Sequence, residues 1–295
     1  MIEVIAKLYA WYGVHPRLKS PKRTPAKFGL SFEEVSFASN CPKGVKLAGW
    51  FIPVKDPKAV ILLCHGVDAN ASCLVHKAAM FAEAGFSTLL FDFRANGRSE
   101  GEHCTLGFLE KEDVLGAVNY LGSREDTKSL KIFALGESLG GSAIIRAAAE
   151  TDKIRAIISE ATFASLKDAI AQRLKPLGKL GERVYNRLEE IAKVKYDIDF
   201  EEVSPENVVR SISPRPILFI VCGWDALCSK AESERLYDAA GEPKERWDAQ
   251  RALHTFACRT HPKEYKKRVT NFFLKALQHE NAEENARSAS LPHTP

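Results

Sequence analysis

The stretch "KIFALGESLGGSA", Lys131 to Ala143, decides how this chain is read. The apolar run at 131–135 reads as a buried strand, and residues 139–150 read as a helix. Between them, Gly136-Glu137-Ser138-Leu139-Gly140 fits G-x-S-x-G. A strand that turns straight into a helix must bend sharply, which predicts positive φ at Ser138. The residues two places away on either side then crowd each other, and glycine at 136 and 140 removes the Cβ atoms that would clash. Small residues serving only helix–sheet packing are the alternative reading of the pentapeptide. The strand before it and the helix after it favour the strained turn.

A serine hydroxyl is a poor nucleophile near neutral pH. It needs a base, and the base needs an orienting acid. In a parallel α/β sheet these come from loops at the carboxyl ends of strands. Asp225 lies in "PILFIVCGWDALC", just past an apolar strand and after Ser138 in the chain. An isolated turn Asp is ordinarily a cap, but position and order favour a catalytic role. His254, in "ALHTFAC", follows the presumed last strand and precedes the last helix. Its competitor, His261, stands before Pro262 and reads as lying near a helix cap. His15, His65, His76 and His103 all precede the serine and are weaker candidates for the base. A tetrahedral oxyanion needs backbone N–H donors. Leu139, directly after the serine, supplies one. Val67, in "CHGVDANAS" after the first parallel strand, is assigned the other, with Gly66 giving that loop its freedom. His65 is expected to support the loop.

Apolar runs at 59–64, 87–91, 131–135, 154–159 and 216–222 alternate with helical patterns at about 72–84, 107–121, 139–150 and 229–240, and a further helix is expected near 261–278. Strands alternating with helices imply parallel neighbours, because each crossover must cover a face of the sheet. Phe32, Val35 and Phe37 near-alternate, and "VKLAGWFIP" follows, so an antiparallel pair makes the sheet mixed. The fold class is α/β. Residues 163–213, rich in Lys, Arg, Leu and Glu, interrupt the alternation and read as a helical insertion capping the domain.

At the start, Ile2, Ile5, Leu8, Tyr9 and Tyr12 share one face of a helix, which calls for packing on the domain or on a partner chain. Peripheral membrane contact through this helix is the alternative. Residues 1–30 are read as that helix plus a basic connector, with Arg17, Lys19, Lys22, Arg23 and Lys27 among prolines, most simply a solvated linker. A basic leader with a clean apolar core is missing, so a secretory signal is not expected. The main domain is expected over 31–278 and a polar, disordered tail over 279–295.

With 295 residues and 45% hydrophobic content, a sizeable core is within reach. A formal charge of +4 is too even to imply a nucleic-acid partner. The seven cysteines form no CxxC, which removes the usual zinc and redox spacings and points to a reducing, cytoplasmic setting.

These residues together resemble the α/β-hydrolase superfamily, in its serine-aminopeptidase-like and esterase-like branch, over most of 31–278. The resemblance rests on "HGVDAN", "FDFRANGRSEG", "TLGFLEKEDVLGAVNYL", "GESLGG", "GWDALC", "LHTF" and "YKKRVTNFFLKAL". In the second segment Asp92, Arg94, Gly97, Ser99 and Gly101 match, whereas Ala95 replaces a glycine and Asn96 a histidine or similar residue. The resemblance implies an α/β-hydrolase fold, a mostly parallel mixed sheet flanked by helices with a small helical cap. It also implies the triad order Ser, Asp, His, here Ser138, Asp225 and His254. The expected activity is serine hydrolysis of an ester or thioester in a small-molecule acyl substrate, carboxylesterase-like, through an acyl-enzyme, with no metal or organic cofactor needed. The alternatives are a peptidase or C–C bond hydrolase using the same triad, and a non-catalytic hydrolase-fold binding protein. The variable cap carries Lys167, Arg173, Lys175, Lys179, Arg183 and Arg187. These are read as a solvated helix face, with attraction of acidic acyl donors as the alternative.

Overall fold

The computed structural model describes residues 1–17, 20–21, 23–42 and 44–290, and side chains through 286. Lys19 and Lys22 of the expected basic connector lie outside the described residues. In chain order the elements are α1 (Ile2–Val14), β1 (Glu33–Ala38), β2 (Lys46–Ile52), β3 (Val60–Cys64), α2 (Val75–Glu83), β4 (Ser87–Phe91), α3 (Glu110–Ser123), β5 (Ile132–Glu137) and α4 (Leu139–Glu150). There follow β6 (Ile154–Glu160), α5 (Leu166–Leu174), α6 (Lys179–Tyr196), β7 (Ile217–Cys222), α7 (Lys230–Ala239), β8 (Lys244–Ala249), α8 (Ala257–Thr260) and α9 (Pro262–Ser290).

The eight strands form one sheet in the order β1-β2-β4-β3-β5-β6-β7-β8. β1 pairs with β2 and β2 with β4 antiparallel, and every later pairing is parallel. The continuous apolar runs have a simple cause. Successive side chains of a strand point to opposite faces, and both faces are covered. In β3, Val60, Leu62 and Cys64 join the core under α3, α4 and α7. Ile61 and Leu63 join the core under α2, α8 and α9. With helices on both faces, the central strands β3, β5 and β7 are apolar along most of their length, and the polar residues of the site gather at the carboxyl ends.

The insertion between β6 and β7 forms α5 and α6 with short 3-10 turns, as expected of a cap. It owns a third apolar cluster, which includes Ile170, Leu174, Val184 and Leu188. Ala6, Ala10 and Val14 of α1 complete that cluster, so α1 packs on the cap. The stripe read from sequence divides: Ile2 and Ile5 pack against this cluster, whereas Leu8, Tyr9 and Tyr12 stay exposed. Arg17, the first cation of the connector, is docked, because its amide and guanidinium both bond the Asp68 carboxylate.

Two boundaries depart from the sequence reading. α3 starts at Glu110, not 107, because Leu106 and Gly107 both have positive φ. α9 runs to Ser290 where a disordered tail over 279–295 was expected. Arg155 to Glu280 at 2.9 Å, and Lys131 to Glu284, tie this extension to the start of the sheet strands. Residues 291–295 lie outside the described residues.

Candidate active site

β5 delivers Ser138 at the carboxyl edge of the sheet, and α4 leaves immediately after it. Ser138 has φ 53° and ψ −116°, the strained turn that the motif predicted. The glycines explain how the turn closes. A Cβ at Gly136 would stand 2.4 Å from the carbonyl carbon of Gly140, and one at Gly140 would stand 2.4 Å from the Cys64 carbonyl oxygen at the end of β3. The start of α4 is therefore pressed against two strands at once. Strain of this kind costs on the order of 1–3 kcal/mol and persists only where the surroundings over-determine it. Here the Ser138 amide donates to the Glu160 carbonyl at 2.8 Å, and its carbonyl accepts from the Ser142 amide.

Asp225 follows β7. One carboxylate oxygen, Oδ1, accepts the amides of Leu227 and Cys228, each at 2.8 Å. This fixes the carboxylate and leaves Oδ2 facing Nδ1 of His254 at 2.7 Å. The carboxylate is almost wholly shielded, with its side chain 1% exposed against 18% for the imidazole. The two loops are also joined through their backbones, Gly223 to Ala249 and Trp224 to Ala252. His254 thus meets the acid predicted for it. His261 does not: its Nε2 lies 2.6 Å from the Gln250 carbonyl and its ring stands beside Trp247.

The loop after β3 meets the serine from the other side. A Cβ on Gly66 would lie 3.4 Å from Cβ of Ser138. Among the described residues, neither the Val67 nor the Leu139 amide donates to a protein acceptor. His65 supports this loop as expected. Its Nε2 accepts the Phe93 amide at 3.0 Å, which assigns the proton to Nδ1, and Nδ1 lies 2.7 Å from the Gly66 carbonyl. Burial holds the imidazole below its usual pKa, in keeping with a neutral ring.

Beneath these loops lies a group that no motif announced. Lys77 of α2, fully buried, contacts Glu137 at 2.5 Å and Glu160 at 2.6 Å. The Tyr265 hydroxyl donates to Glu160 Oε2 at 2.8 Å, and the Ala257 amide reaches Oε1 at 3.3 Å. Burial penalises the Lys77 ammonium, but the two carboxylates outweigh it and hold the pKa well above the usual lysine value. Burial and then Glu160 push Glu137 up, against the pull of Lys77. Glu160 joins the two halves of the site: its carbonyl holds the serine turn and its carboxylate holds the chain three residues after His254. The one legible signal was an acid ending an otherwise apolar strand, "IRAIISE".

The second segment of the resemblance is structural here. Asp92 accepts the amides of Ala71 and Arg98, and a Cβ on Gly97, at φ 51°, would fall 2.2 Å from its carboxylate. Ala95, standing where a glycine was expected, takes φ 60° all the same. The cap cations are solvated or engaged: Lys167 pairs with Glu201, and Arg187 with Glu3 and Glu190.

The model of the family described as serine aminopeptidase, S33 (Hydrolase_4) matches residues 55–213. The chain belongs to this family. As a family member it is also 30% identical over 260 residues to the uncharacterized protein YfhR of Escherichia coli K12, covering 85% of this chain and 84% of that protein. It is 28% identical over 243 residues to the uncharacterized protein YqkD of Bacillus subtilis, covering 81% and 79%. Among solved structures, the Pyrococcus furiosus esterase Pf2001 superposes with TM-score 0.73 at 24% identity, covering 90% of this chain and 100% of that one. A dienelactone hydrolase from Anabaena variabilis gives TM-score 0.60 at 19% identity, covering 83% and 98%. These two likenesses are of fold. The protein is an α/β-hydrolase, and among the described residues no helix is long and apolar enough to cross a membrane.

Proposed function

We propose that this chain is a serine hydrolase of ester or thioester bonds, with Ser138 as nucleophile, His254 as base and Asp225 as its orienting acid. The observation that carries the reading is the 2.7 Å contact between His254 Nδ1 and Asp225 Oδ2, on two loops at the sheet edge where Ser138 stands in a strained turn. With Nδ1–H held by Asp225, Nε2 is left unprotonated to take the Ser138 proton. Ser138 Oγ then bonds to the acyl carbon, and the carbonyl electron pair moves onto oxygen, which the Val67 and Leu139 amides receive. The pair returns, the bond to the leaving alcohol or thiol breaks, and His254 returns the proton to that group. Water repeats the cycle through His254 and releases the acid and free Ser138. No step calls on a metal or organic cofactor. The seven unpaired cysteines support a reducing, cytoplasmic setting.

The test is a panel of p-nitrophenyl esters beside aminoacyl anilides and a vinylogous diketone, read with wild type and Ser138→Ala. Ester turnover that Ser138→Ala lowers by about 10⁴-fold or more supports the reading. Anilide or diketone turnover alone makes it a peptidase or a C–C bond hydrolase. Ligand capture without turnover, at an affinity that Ser138→Ala preserves, makes it a binding protein.

A further inference from the structure

α1 closes one side of an apolar cavity that begins at the proposed oxyanion loop. The cavity has a volume of about 530 Å³ and is lined, among others, by Tyr9 and Gly13 of α1, Val67, Leu106, Ile170 of α5 and Leu188 of α6. Val67 in its lining is the residue after Gly66, where a Cβ would lie 3.4 Å from Cβ of Ser138, so the cavity reaches the loop that packs on the serine. A volume in this range holds a small-molecule ligand and is far larger than an acetyl group needs. This also accounts for the exposed apolar stripe of α1. Leu8, Tyr9 and Tyr12 line the cavity, while Ala6, Ala10 and Val14, with Ile2 and Ile5 packed beside them, seat the helix on the cap.

Two of the charges at the cavity cancel each other. Arg17, three residues after α1, is bound to Asp68, the residue after Val67. Arg173 donates to the Leu227 carbonyl at 3.2 Å. Apart from these three residues the lining is apolar or aromatic, which an uncharged hydrocarbon group matches. The Arg17–Asp68 pair further ties the position of α1 to the loop that carries the Val67 amide.

We infer that this cavity is the acyl site, that α1 is its wall, and that the substrates are esters of uncharged aliphatic acids well longer than acetate. The inference rests on the serine-hydrolase reading and names its substrate class. Gly13 is the position to test it. A Cβ there meets only Leu106 Cδ1, at 3.9 Å, so a larger side chain enters the cavity without displacing backbone. It also replaces glycine inside a helix, which favours folding.

The experiment measures kcat/KM for p-nitrophenyl acetate, butyrate, octanoate and laurate with wild type, Gly13→Phe and Ile170→Trp. Calorimetric binding of decanoate to Ser138→Ala, with and without Gly13→Phe, runs beside it. Wild type is expected to prefer octanoate or laurate. Each filling variant should lower the octanoate-to-acetate ratio at least tenfold, mainly through KM, and Gly13→Phe should weaken decanoate at least tenfold. An unchanged chain-length profile and unchanged decanoate affinity in the folded variants overturn the inference. Decanoate binding that Gly13→Phe weakens, in a chain that turns over no ester, overturns the catalytic reading instead and leaves the cavity assignment standing.

Discussion

Nδ1 of His254 stands 2.7 Å from Oδ2 of Asp225, and the other oxygen of that carboxylate is held by two backbone amides. The acid is thus fixed before it fixes the imidazole. Asn at 225 keeps the shape but can present its NH₂ group to the ring and favour the wrong tautomer. Asp225→Asn is expected to lower kcat for ester hydrolysis by about 10⁴-fold with KM little changed. Steady-state kinetics on the ester panel read this directly, and a loss under tenfold would contradict the role of Asp225.

Lys77 balances two carboxylates in a fully buried place. Removing it leaves Glu137 and Glu160 facing each other with no cation. Lys77→Met should cost about 3–5 kcal/mol of stability, because breaking a buried pair strands the partner charge. Adding Glu160→Gln to Lys77→Met should recover part of that loss, since one carboxylate fewer is then unpaired. Urea denaturation of the two singles and the double gives the coupling.

At Gly140 two effects oppose each other. Alanine is the better helix former by about 1 kcal/mol. Its Cβ, however, would meet the Cys64 carbonyl oxygen at 2.4 Å and the His65 carbonyl oxygen at 2.7 Å, and backbone cannot yield cheaply. The clash wins, so Gly140→Ala should be destabilised by about 1–3 kcal/mol. It should also lose ester turnover, because the displaced helix start carries Ser138 with it. A thermal melt with the wild-type midpoint would contradict the tight-turn account.

His76 predicts the acid limb of stability. Burial, then the Lys77 and Arg259 cations, push its pKa down to about 4. An unfolded histidine titrates near pH 6.5, at roughly its model-peptide value. The folded value is the lower one, so protons favour the unfolded chain. The contribution of neutral His76 is intact above the unfolded value and is lost as pH falls from there to about 4. His76→Gln, which cannot take up a proton, should lose less stability than wild type across that window. Urea midpoints at several pH values within it provide the check, and parallel curves would contradict it.

How much of this was legible in the sequence follows from the range of each interaction. The buried strands announced themselves because both faces of the sheet are covered, and the serine turn because glycine spacing is a local steric matter. Asp225 and His254 were legible from their order and their place after strands. The Lys77, Glu137, Glu160 and Tyr265 group was not. Lys77 lies about 60 to 190 positions from the other three, and only Glu160, ending an apolar run, gave a local sign. The packing of α1 on the domain was legible, but not that Leu8, Tyr9 and Tyr12 of its stripe line a cavity: a hydrophobic stripe marks a face that avoids water, not whether it meets a core or a cavity. The helical run of α9 beyond residue 278 was hidden by polar composition, because Glu280 and Glu284 find their partners at 155 and 131.

The central claim is that Ser138 is an activated nucleophile. A fluorophosphonate probe followed by mass spectrometry of the digested protein tests it most directly. The account predicts a single stoichiometric adduct on Ser138, lost in Ser138→Ala and strongly slowed in His254→Ala. Folded protein that stays unlabelled, or that is labelled equally well in Ser138→Ala, would contradict it.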